Sequence, residues 1–369
     1  METYTVYRLT FKTQLHLGRT SGPAQEGSFG LEKTEIYIPA DTLFSAICQT
    51  WSTFYDTQSL TVFLNGYAED NAVLPFALTS AFPYADNVYF LPKPLPLRES
   101  KDTPEKVNAE AKKKIKKLQF VSGSLFQYII SGHLPYFSGE ESITINATEI
   151  CSMNSEKVWG TTEERDQLKE LLTDNDREKS DDNTPVIWKT ATRPRVSIDR
   201  QTDESSIWHV ETAQFNTGCG LWFAAQFDSD ETKHKIETLL RVLGDTGIGG
   251  ERNAGYGMFD FTEATLEMPT PEAGSQFVTL SPICPKSPEQ LAQLLTGDIA
   301  YTLNPLKGWV STTGTASLRK QVNMFAEGSV LHASETQIGR LVDLRPDNWE
   351  HPVYRYGYAW QVGTKGASE

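Results

Sequence analysis

The stretch GDTGIGGERNAGYGMFDF, residues 244–261, sets Gly247, Gly249 and Gly250 ahead of Arg252, Asn253 and Tyr256, with Gly255 and Gly257 around the tyrosine. Glycine admits positive φ and the close approach of another backbone. A cluster of this kind makes a loop with little side-chain bulk, whose N–H groups can face a sugar-phosphate chain. Arg252 then offers a guanidinium to phosphate, Asn253 an amide to a base edge or ribose hydroxyl, and Tyr256 a stacking face. Two other glycine chemistries are excluded. A P-loop needs a closing Lys-Ser/Thr after a strand, and a dinucleotide fingerprint opens a helix, whereas this stretch has no lysine and leads into a strand. A tight turn without a ligand stays open on the pattern alone.

WKTATRPRVSIDRQTDESSIWHVE gathers Lys189, Arg193, Arg195 and Arg200 against the acidic trend of the chain. Val196 and Ile198 alternate before a polar tip, which reads as a hairpin with a basic arm suited to phosphates, or as an ordinary exposed hairpin. LNPLKGWVSTTG carries Lys307 and Trp309, with Arg319 and Lys320 a few residues on. They fit a stacking and phosphate pair; a core tryptophan is the equal alternative. The lysine run over residues 112–117 lies on an amphipathic helix, and such runs are most often solvated faces.

Metal-free RNA cleavage needs a base matched to neutral pH near a 2′-hydroxyl. His16, on the polar face of the first strand, is the best candidate, although a lone histidine is more often a hydrogen-bonded bystander. His133, His209, His234, His332 and His351 have no evident partners in sequence. No carboxylates fall into a D-x-D or H-x-E layout. Asp41 reads as a helix cap, and Glu251 aims Arg252 as readily as it binds an ion. The expectation is no catalytic residue, no metal, no cofactor and no turnover.

These residues need elements to hold them. YRLTFKTQLHLG alternates with period two, Tyr7, Leu9, Phe11, Leu15 and Leu17 against Arg8, Lys12, Gln14 and His16, and predicts a strand ending at Gly18. IYIPADTLFSAICQTW predicts an extended piece, then a helix capped by Asp41 with Leu43, Ile47 and Trp51 inward. GLWFAAQF predicts a buried strand, and SDETKHKIETLLRVLG a helix with Ile236, Leu239, Leu240 and Leu243 inward, closed by Gly244 in the left-handed region. Residues 256–261 supply the next strand. The order is that of a ferredoxin-like βαββαβ unit. Long insertions stretch it: a helix with Val107, Ala111, Ile115 and Leu118 inward, and a charged segment at residues 163–182 that reads as mobile surface.

EMPTPEAGS predicts a linker. Beyond it, FVTLSPI reads as a strand and SPEQLAQLL as a helix with Ser287 as cap, Pro288 at its first position and Gln290 completing a capping box. Strand-like pieces follow at residues 299–303, 322–325, 329–331 and 354–362. The expected fold class is α+β: two ferredoxin-like, RRM-like domains. The first spans residues 1–265, with insertions at about 98–120 and 160–185 and a central hairpin; the second, smaller one spans 275–369.

The chain has 369 residues, enough for a sizeable core, and a formal charge of −14, which argues against coating bare nucleic acid but allows one basic groove. No stretch reaches the ~20 apolar residues of a membrane helix, and the first residues lack a signal-peptide layout, so a cytoplasmic protein without membrane partners is expected. Cys48, Cys151, Cys219 and Cys284 form no C-x-x-C pair and read as reduced thiols.

GIGGERNAGYGMFDF resembles the glycine-rich loop late in the first domain of the RAMP proteins of CRISPR-Cas systems, which are built from ferredoxin-like units. YRLTFKTQLHLG and IPADTLFSAICQTW are similar to the first strand and helix of the Cas5-type subunit of the subtype III-A, or Csm, complex. RPRVSIDRQTDESSIWHVE resembles its central hairpin, and LKGWVSTTG, KQVNMFAEGSVL and PVYRYGYAWQV its C-terminal blocks. The insertions around residues 112–117 and 163–182 match nothing in that pattern. The resemblance implies a non-catalytic subunit for antiviral defence. Such a subunit binds the repeat-derived 5′ tag of CRISPR RNA, joins the large polymerase-palm subunit to the backbone filament RAMP subunit, and lies near target RNA. It also implies that the hairpin interrupts base pairing where tag meets guide. A metal-independent endoribonuclease maturing precursor CRISPR RNA and a protein-only scaffold are the alternatives.

Overall fold

The computed structural model describes residues 1–18, 33–67, 73–95, 109–133, 136–138, 142–171, 184–198, 205–272, 274–312, 315–332, 335–347 and 349–364. Strand β1 (Glu2–Phe11) lies between two later strands and pairs antiparallel with both, Tyr7 opposite Phe223 on one side and Glu263 on the other. Alternation buries Tyr7 and Leu9 completely. Tyr7 also donates its phenol to Glu237 at 3.0 Å, which ties the sheet to the helix above it.

The strand stops at Phe11 rather than Gly18. Beyond it the chain is held by other partners: the Lys12 N–H donates to the Met258 carbonyl, and Leu15 bridges Ala213. Leu15 and Leu17 are buried as expected, but His16 is buried too, at 7 % exposure, so the alternation fails where the sheet ends. Arg8 is likewise not on an open polar face. Its guanidinium lies 4.3 Å from the Tyr84 ring centre and donates to the Asp86 carbonyl at 2.8 Å.

Helix α1 (Ala40–Phe54) buries Leu43, Phe44, Ile47 and Trp51. Asp41 does not cap it. Pro39 stands at the cap position, and the Asp41 carboxylate is drawn to a buried arginine far along the chain, Arg355. Strand β2 (Phe82–Ala85) follows; then come strands β3 (Trp188–Ile198) and β4 (Ser205–Phe215) of the central hairpin, and strand β5 (Cys219–Phe227). Helix α2 (Asp230–Thr246) is capped by Ser229 and buries Ile236, Leu239, Leu240 and Leu243. It ends at Gly247, φ 80°, not at Gly244. Gly244 lies inside the helix, where a methyl group would collide with the Phe259 carbonyl.

Strand β6 (Phe259–Met268) completes a sheet ordered β6-β1-β5-β2, which further strands extend to eleven among the described residues. Phe120–Ser122 and Val158–Thr161 form a parallel pair within it. The lysine-rich helix is Ala109–Lys117, with Ile115 and, just past its end, Leu118 turned inward, and Lys117 paired to Glu156 at 2.7 Å. Residues Thr162–Leu171, expected as mobile surface, form a helix pinned by the fully buried Leu168; Val107 and residues 172–183 lie outside the described residues.

The C-terminal part is built from small sheets. Strand β7 (Gln276–Thr279) is followed by helix α3 (Pro288–Leu294), the only helix among its described residues. Next come β8 (Leu303–Leu306), β9 (Trp309–Thr312), β10 (Thr315–Leu318), β11 (Val322–Phe325) and β12 (Val330–His332), and then β13 (Gly339–Asp343), β14 (Tyr354–Tyr358) and β15 (Gln361–Thr364). β7 pairs with β12 and β15, and the others pair as β8–β11, β9–β10 and β13–β14. Ser287 accepts from the Gln290 N–H at 3.2 Å, but Gln290 reaches past it to accept from Lys286 and Gly339, which binds α3 to β13. Residues 354–362 make two strands, not one: at the break the Trp360 N–H donates to the Ser281 hydroxyl at 2.6 Å, and its ring meets Tyr4 edge-on at 4.9 Å. One apolar core runs through both parts, from Val6 and Phe223 to Leu280, Tyr356 and Val362.

Candidate nucleic-acid interface

The glycines of the loop are used mainly by the chain itself. Gly247 donates its N–H to Leu243, Gly250 to the His16 carbonyl at 2.8 Å, and Gly257 to Gln14 at 2.8 Å. A methyl group at Gly249, φ 93°, would collide with the His16 carbonyl. These amides are therefore not open to a ligand, contrary to the sequence expectation: close approach is needed, but toward residues 14–17. What the glycines expose is the tip, where Arg252, Asn253 and Ala254 form one exposed 3-10 turn behind Glu251 at φ 57°.

The central hairpin meets this tip. Period-two alternation sends Lys189, Arg193 and Arg195 to the same face of β3, with Trp208 of β4 opposite Arg195. Arg195 lies 5.7 Å from the Tyr256 ring centre, donates to its hydroxyl at 3.4 Å and pairs with Glu251 at 3.5 Å. Glu251 thus aims Arg195, not Arg252. Between hairpin and loop lies a cleft of about 320 Å³, lined by Lys12, Gln14, Arg193, Gln214 and Tyr256. Arg200 lies outside the described residues.

A second, larger cleft of about 1020 Å³ opens on the other side of the tip, between α1 and the C-terminal part, and its walls include Arg252, Trp309, Arg319, Asp41 and Glu327. Trp309 is 54 % exposed, which excludes the core alternative. Lys307 is exposed beside it, and its carbonyl accepts from Arg355 at 3.3 Å. Arg319 is half-buried, and burial together with neighbouring Arg355 pulls its pKa below the usual arginine range. Three sequence-distant candidates, Arg252, Trp309 and Arg319, therefore share one cavity.

Residues 8–260 match the model of the RAMP superfamily, and residues 272–364 match that of the CRISPR Csm4 C-terminal domain. The chain belongs to the RAMP superfamily. Curated relatives of this RAMP protein include "CRISPR system Cms protein Csm4" of Mycobacterium tuberculosis, 26% identical over 89% of this chain and 91% of the relative. The protein of the same name from Streptococcus thermophilus is 25% identical over 96% of both chains. In fold the chain is similar to one in a Csm3-Csm4 subcomplex of the type III-A interference complex, at TM-score 0.60 and 14% identity, covering 99% of this chain and 100% of that one. It is also similar to one in a Csm1-Csm4 cassette with pppApA, at TM-score 0.56 and 17% identity over 99% and 98%.

His16, the catalytic candidate, sits behind the RAMP glycine loop with its Nδ1 2.7 Å from the Glu211 carbonyl and its ring against Gly250. It joins hairpin to loop, the bystander role. Sequence reasoning missed the Arg355–Asp41 ion pair, both members of which are nearly fully buried. An arginine inside the aromatic run PVYRYGYAW was the available signal, since a charge in such a run needs a buried partner. Glu327 was missed as well; it accepts from Ser80, and burial lifts its pKa to about 7. Among the described residues no three His, Cys, Asp or Glu side chains converge as metal ligands, and no helix is long and apolar enough to cross a membrane.

Proposed function

We propose that this RAMP protein is a non-catalytic, cytoplasmic subunit of a type III-A CRISPR effector. It holds the repeat-derived 5′ tag of CRISPR RNA and joins the large polymerase-palm subunit to the backbone filament, close to target RNA. The observation that carries this reading is the contact of Arg195 with Tyr256 and Glu251. Through it a basic hairpin face and a glycine-shaped tip, 61 residues apart in sequence, become one cationic edge. Phosphates meet Lys189, Arg193, Arg195 and Arg252 along that edge, while Asn253 and Tyr256 meet sugar or base. Gly247, Gly249 and Gly250 shape the tip, and Gly249 and Gly250 also line the large cleft along which the RNA runs. Lys307, Trp309 and Arg319 continue the path across the large cleft.

The relatives solved beside Csm1 and Csm3 support the joining role. The order β6-β1-β5-β2 is the fourth-first-third-second arrangement of a ferredoxin-like unit, and on this reading residues 1–265 form that domain and 275–369 a second, smaller one. The deciding experiment is to express the chain with its operon neighbours and identify which RNA end and which proteins co-purify. Recovery of the chain free of RNA and partners overturns the reading, and metal-independent cleavage of a repeat RNA by the purified chain overturns its non-catalytic part.

A further inference from the structure

Residues 109–117 carry five lysines against one glutamate, Glu110, in a chain of formal charge −14. The helix they form, Ala109–Lys117, is held from below. Ile115 is 9 % exposed and Leu118 3 %, and the Lys93 ammonium donates to the Ile115 carbonyl at 3.0 Å. Lys113, Lys114, Lys116 and Lys117 are all exposed, on the side away from Ile115. Of these four, only Lys117 forms an ion pair among the described residues, with Glu156 at 2.7 Å.

Like charges three and four residues apart on a helix repel, and here Lys113 neighbours both Lys116 and Lys117 while Lys114 neighbours Lys117. A fixed, self-repelling cluster gains most from a partner that brings many negative charges at once, and a polynucleotide also releases counterions when its phosphates are neutralised. A protein surface fits less well. The centres of protein interfaces favour aromatic residues and arginine and are poor in lysine, whereas every outward side chain described on this helix is a lysine. Ammonium groups on flexible stems act as point charges and ask no fixed geometry of a phosphate. The helix also stands next to the large cleft: Phe120, just past its end, meets Tyr37 edge-on at 5.9 Å, and Tyr37 lines that cleft.

We propose that the helix Ala109–Lys117 is an electrostatic docking surface for the phosphates of single-stranded RNA lying outside the hairpin, the tip and the cleft, and that it binds them without regard to base sequence. The inference rests on the reading above that this chain binds RNA. Its test titrates the full chain into a labelled, unstructured RNA of about 30 nucleotides, longer than the ~4–16 that one small single-strand-binding module covers, at stepped salt concentrations. Combining Lys113→Gln, Lys114→Gln and Lys116→Gln should reduce the slope of log affinity against log salt by about 2, three phosphate contacts at ~0.7 each. Lys113→Arg, Lys114→Arg and Lys116→Arg together should keep the original slope. So should Lys169→Gln, Lys235→Gln and Lys286→Gln, an equal loss of charge at lysines already paired with carboxylates. An unchanged slope in the first triple variant, or an equal fall in the last, overturns the docking surface. Loss of a co-purifying protein from the first triple variant with RNA binding intact assigns the helix to a protein partner and overturns it too. In each of these cases weaker binding by Arg252→Glu leaves the RNA reading standing, whereas failure of the unsubstituted chain to bind the RNA overturns both.

Discussion

On the glycine-loop wall of the large cleft, the amides of Gly247, Ile248, Gly250 and Gly257 are all donated within the chain, and Arg252 stands out in solvent. On the facing wall the arrangement is reversed: Trp309 is exposed, while Arg319 is half-buried with an unpartnered Nε beside the Asp41–Arg355 pair. One wall has a satisfied backbone and a solvated cation. The other keeps unmet polar atoms under an open aromatic. The contrast is between a wall that presents a solvated charge at little cost in desolvation and a wall that presents an open aromatic face near buried polar atoms.

Breaking the buried pair should disturb the C-terminal wall most. Arg355→Ala leaves Asp41 uncompensated, and a loss of about 3–5 kcal/mol in unfolding free energy is expected in chemical denaturation. A loss below about 1 kcal/mol would mean that the pair does not hold the wall. Next in size, Gly249→Ala places a methyl group against the His16 carbonyl at φ 93°, and about 1–3 kcal/mol of stability should go. Gly255→Ala, at φ 80° with open space around it, should cost only about 1 kcal/mol. Equal losses at the two sites would refute the picture of a loop with a docked base and a free tip.

Arg252→Glu should leave the melting temperature unchanged and weaken tag-RNA binding by about 1–3 kcal/mol, read by titration with labelled RNA. Unchanged RNA retention would favour the protein-only scaffold. The smallest effect concerns Glu327, whose carboxyl burial lifts from 4.5 to about 7, with Ser80 opposing and Asp41 and Glu35 adding. The fold disfavours its ionised form, so its contribution is fully present below about pH 4.5 and is lost as pH rises through about 7. Glu327→Gln should therefore be near neutral at about pH 4 and stabilising by about 1 kcal/mol at about pH 8, a figure reduced for its partial exposure to water. Thermal unfolding at both pH values checks the sign.

Local pattern made much of this legible. The 3.6-residue spacing of Ile236, Leu239, Leu240 and Leu243 survives because their partners come from one continuous face, and the hairpin read from the sequence pairs in register as β3 and β4. Reading failed where a distant segment took over. Residues 12–18 alternate like a strand yet leave the sheet for the hairpin and loop, so His16 is buried instead of offered. Asp41 occupies a position that suits a cap, and Arg355, 314 residues away, outbids the helix for its carboxylate. The basic residues of hairpin and tip could be found by type, but their union through Arg195 required the fold.

Arg355 joins three things at once: Asp41 at the start of α1, the Lys307 carbonyl, and the strand that carries it into the shared core. Hinging the C-terminal part away from α1 would strand a bare carboxylate and a bare guanidinium together. The ion pair therefore opposes any widening of the gap between the walls.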